Sequence, residues 1–353
     1  MTRPPRGVLH FACPGSVAQP TGGYRYDAEI LRALATDGRQ VMLHELAGVF
    51  PRADARARRA ARECVAAARG GVLVIDGLAL PGFEGLLPAH GVTTVALIHH
   101  PLALETGIAP ATRRRFAQLE PLLARACAGV IVTSAATVPS IRAMGIEAAR
   151  IRVVTPAVMR AAIAPPRRGR GATRLLCVAS FTPRKGHRVL LAALGRLRRL
   201  GWSLELIGPR HHDRREAGRI ATAIAARGLR GRVRAVGAVP AARVAAAYRR
   251  ADIFVLPSFH EGYGMAFAEA IAAGVPVVGA RAGAVPLTVP RRAGVLVRPG
   301  DPSGLAGALR RLMLRDDARR RLAAGARLHA RALPDWPAQA RRFAAAVDAL
   351  AAP

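Results

Sequence analysis

Two glutamates, Glu261 and Glu269, flank the stretch EGYGMAFAE with seven residues between them. The pattern around them predicts a helix from about Gly264 to Gly274, with Pro276 as a stop just beyond. Gly262 and Gly264 let the backbone approach a ligand closely, and Tyr263 and Met265 lie in the same turn. Exposed N–H groups and the positive dipole end at such a helix start form an anion site. Glu269 stands about one and a half turns in, roughly 7–8 Å along the axis. A diphosphate seated on the helix start places its ribose at that distance, where a carboxylate accepts both ribose hydroxyls. The neighbours Ala266, Phe267, Ala268, Ala270, Ile271 and Ala272 leave the helix almost no polar face, so it is expected to be buried. A carboxylate on a buried helix needs a partner.

The second candidate is a cation. Lys185 is the single lysine among 54 basic residues; the others are all arginine. It lies in LLCVASFTPRKGHRVLLAAL, where a strand ending at Ser180 leads through a turn at Pro183 and Gly186 into a helix. Arg184 and Lys185 therefore sit on a strand-to-helix loop, where two cations neutralise a departing diphosphate. Lysine is a compact point charge and arginine a planar fork, so a site that needs the former resists the exchange.

Weaker candidates follow. Gly22 and Gly23 fall in a Gly/Pro-rich loop before a helix expected from about Tyr26, where backbone N–H groups can cradle phosphate or sugar. His99 and His100 end a strand in VALIHHPLALETG, with Glu105 nearby. Adjacent histidines on a strand point to opposite faces, so these three do not read as a metal site, and no metal is expected. His211, His212 and Asp213 read as a solvated loop, with contact to a base or phosphate as the alternative.

Short apolar runs alternate with helical stretches along the whole chain. Strands are expected at Val8–Ala12, Val41–Glu45, Val72–Ile75, Val95–Ile98, Val130–Thr133 and Ile151–Val154. A second set is expected at Leu175–Ala179, Leu204–Ile207, Val233–Val236, Ile253–Leu256, Pro276–Gly279 and Val295–Val297. Such alternation predicts α/β architecture with two doubly wound, Rossmann-like parallel sheets, the candidate loops facing a cleft at their carboxyl ends. The Pro/Gly/Arg segment Pro165–Gly171 reads as a linker between domains of residues 1–165 and 172–335. A last helix is expected from about Trp336 to Ala349.

With 353 residues the chain has the length of two domains. Its formal net charge of +32 raises the question of a polyanionic partner. The arginines are spread along the chain, and four Tyr and two Trp give little for bases to stack on. A basic nucleic-acid-binding protein is thus the lesser reading, and no nucleic acid is expected. Arg52–Arg62 and Arg113–Arg115 read as solvated surface, with peripheral contact to anionic headgroups as the alternative. The four cysteines are far apart, no long apolar span occurs, and a cytoplasmic location follows as the expectation.

Taken together, EGYGMAFAE, TPRKGH, YRRADIFVLPS and AGAVP…AGVLVRPGDP resemble the group 1 (family 4) retaining glycosyltransferases, whose fold is GT-B. The resemblance covers most of the chain, with Gly22-Gly23 and SAATV fitting the first domain. It implies transfer of a sugar from a UDP-, GDP- or ADP-sugar to a hydroxyl acceptor (a glycan, a lipid-linked or a small molecule), without metal or cofactor. By the resemblance Glu269 holds the donor ribose, Glu261 contacts the donor sugar, and Lys185 contacts the diphosphate. Gly262–Met265 hold diphosphate and sugar hydroxyls, Gly23 lies at the phosphates, and His99 lies near the reacting carbon. The final helix, about 336–353, crosses back to the first domain. The chain departs from the family where many members carry Gly-Arg before the lysine loop: here it has Ala179-Ser180, which leaves Arg184 as the candidate second cation. Pro156-Ala157 stands where Pro-Gly is frequent. A nucleotide-sugar 2-epimerase of the same fold is the enzymatic alternative.

Overall fold

The computed structural model describes residues 8–105, 107–159 and 171–352. It has two compact units. The first comprises the chain up to Gln19, Gly23–Ala157 and Pro334–Pro353; the second comprises Pro20–Gly22 and Val158–Leu333. Of the linker expected at Pro165–Gly171, all but Gly171 lies outside the described residues.

In the first unit the strands are β1 (Leu9–Pro14), β2 (Val41–Leu46), β3 (Val72–Asp76), β4 (Thr93–Ile98), β5 (Gly129–Val132) and β6 (Ile151–Val153). Its helices are α1 (Gly22–Thr36), α2 (Ala55–Ala67), α3 (Pro110–Ala126) and α4 (Val138–Ala143). The sheet order is β2-β1-β3-β4-β5-β6, and every pairing is parallel. Parallel neighbours need a crossover, which the intervening helices and turns supply.

The second unit repeats the plan with β7 (Thr173–Val178), β8 (Trp202–Ile207), β9 (Val233–Gly237), β10 (Ile253–Leu256), β11 (Val277–Ala280) and β12 (Gly294–Val297). Its helices are α5 (His187–Gly195), α6 (Arg214–Ala226), α7 (Ala241–Arg250), α8 (Met265–Ala272), α9 (Val285–Thr288), α10 (Pro302–Leu314) and α11 (Asp316–Ala330). The order is β12-β11-β10-β7-β8-β9, again all parallel. All four residues of β10 and of β11 are buried, which is why these strands read as continuous apolar runs rather than alternating ones. All twelve strands thus fall on the apolar runs of the sequence.

In each sheet the strand order reverses once, between β1 and β3 in the first and between β7 and β10 in the second. At such a point the two flanking loops run off in opposite directions and leave a crevice beyond the carboxyl ends of the strands. Both clusters of candidate residues stand on loops next to these reversals.

The last helix, α12 (Trp336–Ala351), belongs to the first unit. Asp335 caps it by accepting the Ala338 N–H at 2.9 Å. Trp336 and Phe343 meet the buried Tyr26 ring edge-on. The Gln339 side-chain amide donates to the Thr155 backbone carbonyl and, at 2.7 Å, to its hydroxyl. Arg39 pairs with Asp348 at 2.9 Å. Among the described residues no helix is long and apolar enough to cross a membrane.

Candidate active site

Lys185 and Arg184 follow β7 on a single 3-10 turn, Pro183–Lys185, and Glu261 follows β10. Because β7 and β10 are neighbours, their loops converge. The Lys185 Nζ donates to both carboxylate oxygens of Glu261, at 2.8 and 2.9 Å. The Arg184 guanidinium donates to the His260 carbonyl at 2.9 Å and lies 3.5 Å from the same carboxylate. The Arg184 carbonyl accepts the Phe259 N–H at 2.8 Å, so backbone and side chains lash the two loops together.

Two glycines permit this approach. Gly186 has φ +69°, and a Cβ there would stand 2.1 Å from the Pro257 carbonyl oxygen. Gly283, on the loop after β11, has φ +54°, and its Cβ would stand 2.3 Å from the Glu261 carbonyl oxygen. That carbonyl accepts the N–H of Ala284 at 2.9 Å. Loops from three adjacent strands therefore close on Glu261.

Glu261 is 6% exposed. Burial alone raises a carboxyl's pKa, but the Lys185 and Arg184 charges and the Lys185 hydrogen bond outweigh it and hold Glu261 below the ordinary carboxylate range. His187, behind Lys185, is 1% exposed and packs on Phe181. Burial first, and the Lys185 charge second, bring its pKa down to about 3, so it adds no charge.

Helix α8 begins at Met265, after Gly264 in the left-handed region at φ 88°, and no side chain caps it. Its first turn therefore keeps backbone N–H groups for an anion. Gly262 and Tyr263 form the turn before it, tied down by the Thr288 hydroxyl, which donates to the Tyr263 carbonyl at 2.6 Å. Glu269 is half-buried on this helix, while Phe267, Ala268, Ala270, Ile271 and Ala272 are buried. Gly274, with φ +75°, ends the helix in the left-handed conformation that favours glycine.

The first unit carries a separate cluster. His99 follows β4, and its Nε2 lies 2.9 Å from Asp27 Oδ1 and 3.3 Å from Asp76 Oδ2. Neither aspartate figured in the sequence reading. Asp76 carried a legible signal, since it is an acid closing an apolar strand at its carboxyl end; Asp27, on α1, carried none. The spacing of this cluster is that of hydrogen bonds, and we read it as such rather than as a cation site. Gly22 and Gly23 are corrected: they are the first residues of α1, not a loop before a helix at Tyr26, so their N–H groups belong to a helix start. A Cβ on Gly23 would lie 3.3 Å from the His99 ring. Asp213 is also corrected: it caps α6, accepting the Glu216 N–H at 2.8 Å, and is not merely solvated. His211 and His212 share its short turn. Glu105 follows the turn after His100 without joining the His99 cluster, and its carbonyl accepts from Arg113.

Residues 172–315 match the family model "Glycosyl transferases group 1". A D-inositol 3-phosphate glycosyltransferase of Corynebacterium glutamicum is 38% identical over 117 residues, covering 33% of this chain and 28% of that protein. The MMP alpha-(1->4)-mannosyltransferase of Mycolicibacterium hassiacum is 28% identical over 280 residues, covering 73% and 66%. The chain thus spans little more than a quarter of the length of the C. glutamicum relative. Among solved structures, sucrose-phosphate synthase from Thermosynechococcus elongatus superposes with a TM-score of 0.82 at 21% identity, covering 96% of this chain and 98% of that one. Anabaena HepE, crystallised with UDP and glucose, gives 0.76 at 17% identity, covering 97% and 99%. Residues 172–315 of this chain are thus similar to the group 1 glycosyltransferases, and its two six-stranded parallel α/β units have the GT-B fold.

Proposed function

We propose that the protein is a retaining, metal-independent glycosyltransferase that moves a sugar from a nucleotide diphosphate donor to a hydroxyl acceptor. The observation that carries this reading is the Lys185–Glu261 pair beside the uncapped start of α8. A diphosphate seated on that helix start meets backbone N–H groups, Lys185 and Arg184, and these supply the positive charge the leaving group requires. Glu269 takes the ribose hydroxyls, and Glu261 orients Lys185 and accepts from the donor sugar. The Gly262–Met265 backbone lines the same turn. No protein base is assigned: the acceptor hydroxyl attacks from the side of the departing phosphate, whose oxygen takes the proton, as the family resemblance implies.

HepE was crystallised with UDP and glucose, and the two relatives are named as a D-inositol 3-phosphate glycosyltransferase and an MMP alpha-(1->4)-mannosyltransferase. These names support a nucleotide-sugar donor and a hydroxyl acceptor here. The test is a thermal-shift screen over UDP, GDP and ADP and their sugars, since a ligand of the folded state raises the melting temperature by mass action. One base should stand out in the wild type and be lost in Glu269→Ala. A chain that no nucleotide diphosphate stabilises would overturn the reading.

A further inference from the structure

His99 has an environment that a merely structural histidine does not need. Its Nε2 faces two carboxylates, Asp27 at 2.9 Å and Asp76 at 3.3 Å. The Asp27 side chain is 0% exposed and that of Asp76 3%, while His99 keeps 19%. The second Asp76 oxygen is occupied by the Leu78 N–H at 2.7 Å. The aspartates come from different elements, α1 and the end of β3, at the point where the first sheet reverses its strand order. On the other edge of the ring, Nδ1 has no hydrogen-bond partner among the described residues. Gly23 stands against the ring with no side chain of its own.

We propose that Asp27 and Asp76 are positioning residues that grip His99 by Nε2 and keep it doubly protonated, so that Nδ1–H is a fixed, charged donor to a substrate oxygen. This rests on the transferase reading for the identity of the substrate but on unit-internal geometry for the state of the ring.

The chemical argument is a charge count. A neutral imidazole whose Nε2–H serves the carboxylates would present Nδ1 as an acceptor. Two carboxylates shut from water against one ring instead favour the cation, and Nδ1 becomes a donor. The other groups facing this cluster are Tyr24 and Tyr26 on α1 and Cys13 on β1. The Tyr24 hydroxyl donates to the Pro14 carbonyl at 2.8 Å and that of Tyr26 to the Val154 carbonyl at 3.0 Å. Burial, with the nearby aspartates adding to it, raises the pKa of all three, so they stay neutral and supply no competing charge. Burial by itself would lower His99, and the two aspartates reverse that and raise it. Burial raises Asp27 and Asp76 adds to the rise, while His99 opposes both. The cluster therefore holds its cation through neutral pH.

The test is a nitrogen NMR titration of the intact, histidine-labelled protein, with the His99 signal assigned by its loss in His99→Gln. In the wild type both ring nitrogens should keep imidazolium shifts at pH 8. Asp27→Asn and Asp76→Asn should each lower the midpoint by about one unit or more, and the double variant should bring it toward about 6.5. The pH–rate profile gives the second readout. Relative to the wild type, Asp27→Asn should be about tenfold less active at about pH 9.5 than at about pH 6, because acid restores the ring charge. A merely structural role would lower the rate equally at both. If Asp27→Asn does not fold, Asp76→Asn carries the same test. A wild-type His99 that is neutral at pH 7 overturns the proposal and leaves nucleotide binding by the second unit intact. Loss of nucleotide binding overturns the transferase reading and leaves the titration untouched.

Discussion

Lys185 and Glu261 stand 76 residues apart in the chain and form a two-pronged contact at 2.8 and 2.9 Å. In a protein that uses arginine at every other basic position, the one lysine occupies the site where a narrow ammonium fits between both oxygens of a buried carboxylate. Its side chain is 15% exposed, which leaves an edge for a ligand and little room for a guanidinium.

Lys185→Arg should therefore leave the fold intact and slow turnover. On the proposed function, loss of one preorganised diphosphate contact amounts to about 3 kcal/mol, roughly a hundredfold in kcat. Steady-state kinetics with the donor identified by the thermal-shift screen check this. Wild-type turnover in Lys185→Arg would sink the argument from the lone lysine.

Glu261 links the site to acid stability. Its pKa is depressed in the folded state, so the stability it confers is fully present above the ordinary carboxylate range and is lost as pH falls through the folded value. Glu261→Gln should flatten the acid limb of a stability–pH curve and, by leaving Lys185 without its counter-charge, destabilise the protein at pH 7 by about 3 kcal/mol. Denaturant midpoints from pH 3 to 7 compare the two.

Gly283 tests the convergence of the loops. Gly283→Ala puts a Cβ against the Glu261 carbonyl at a backbone angle that L residues rarely adopt. We expect a loss of about 2 kcal/mol or more and weaker nucleotide binding. Gly218→Ala, where a Cβ meets nothing and the residue is helical, should be neutral or stabilising.

Glu120 gives a pH effect of opposite sign. It is 1% exposed and accepts the Leu102 N–H at 2.9 Å, pinning the loop that follows His99. Burial pushes its pKa up to about 8 although the backbone N–H groups of Leu102 and Ala103 oppose the rise. The folded state then binds more protons than the unfolded one between the ordinary carboxylate range and about pH 8, so stability falls as pH rises through that window. Glu120→Gln should remove this slope. Thermal melts at pH 5 and 8 should differ less in the variant than in the wild type.

The twelve strands were legible because apolar runs bounded by turn residues are local signals, and a parallel strand buried on both faces shows its pattern without reference to its neighbours. The start of α8, its stop at Gly274 and the placement of Lys185 after a strand were legible for the same reason. The helix at Gly22 was missed because paired glycines read as a turn, while here the packing of Tyr24 and Tyr26, both buried, holds the first turn in place.

No local pattern encodes which strands become neighbours. The order β11-β10-β7 brings the loops bearing Gly283, Glu261 and Lys185 together, and the order β1-β3-β4 brings Asp27, Asp76 and His99 together. Residue types and their places at strand ends were written in the sequence. That Lys185 grips Glu261, and that two buried aspartates grip His99, followed only from folding, because those contacts depend on strand order and on close backbone approaches between segments up to 76 residues apart.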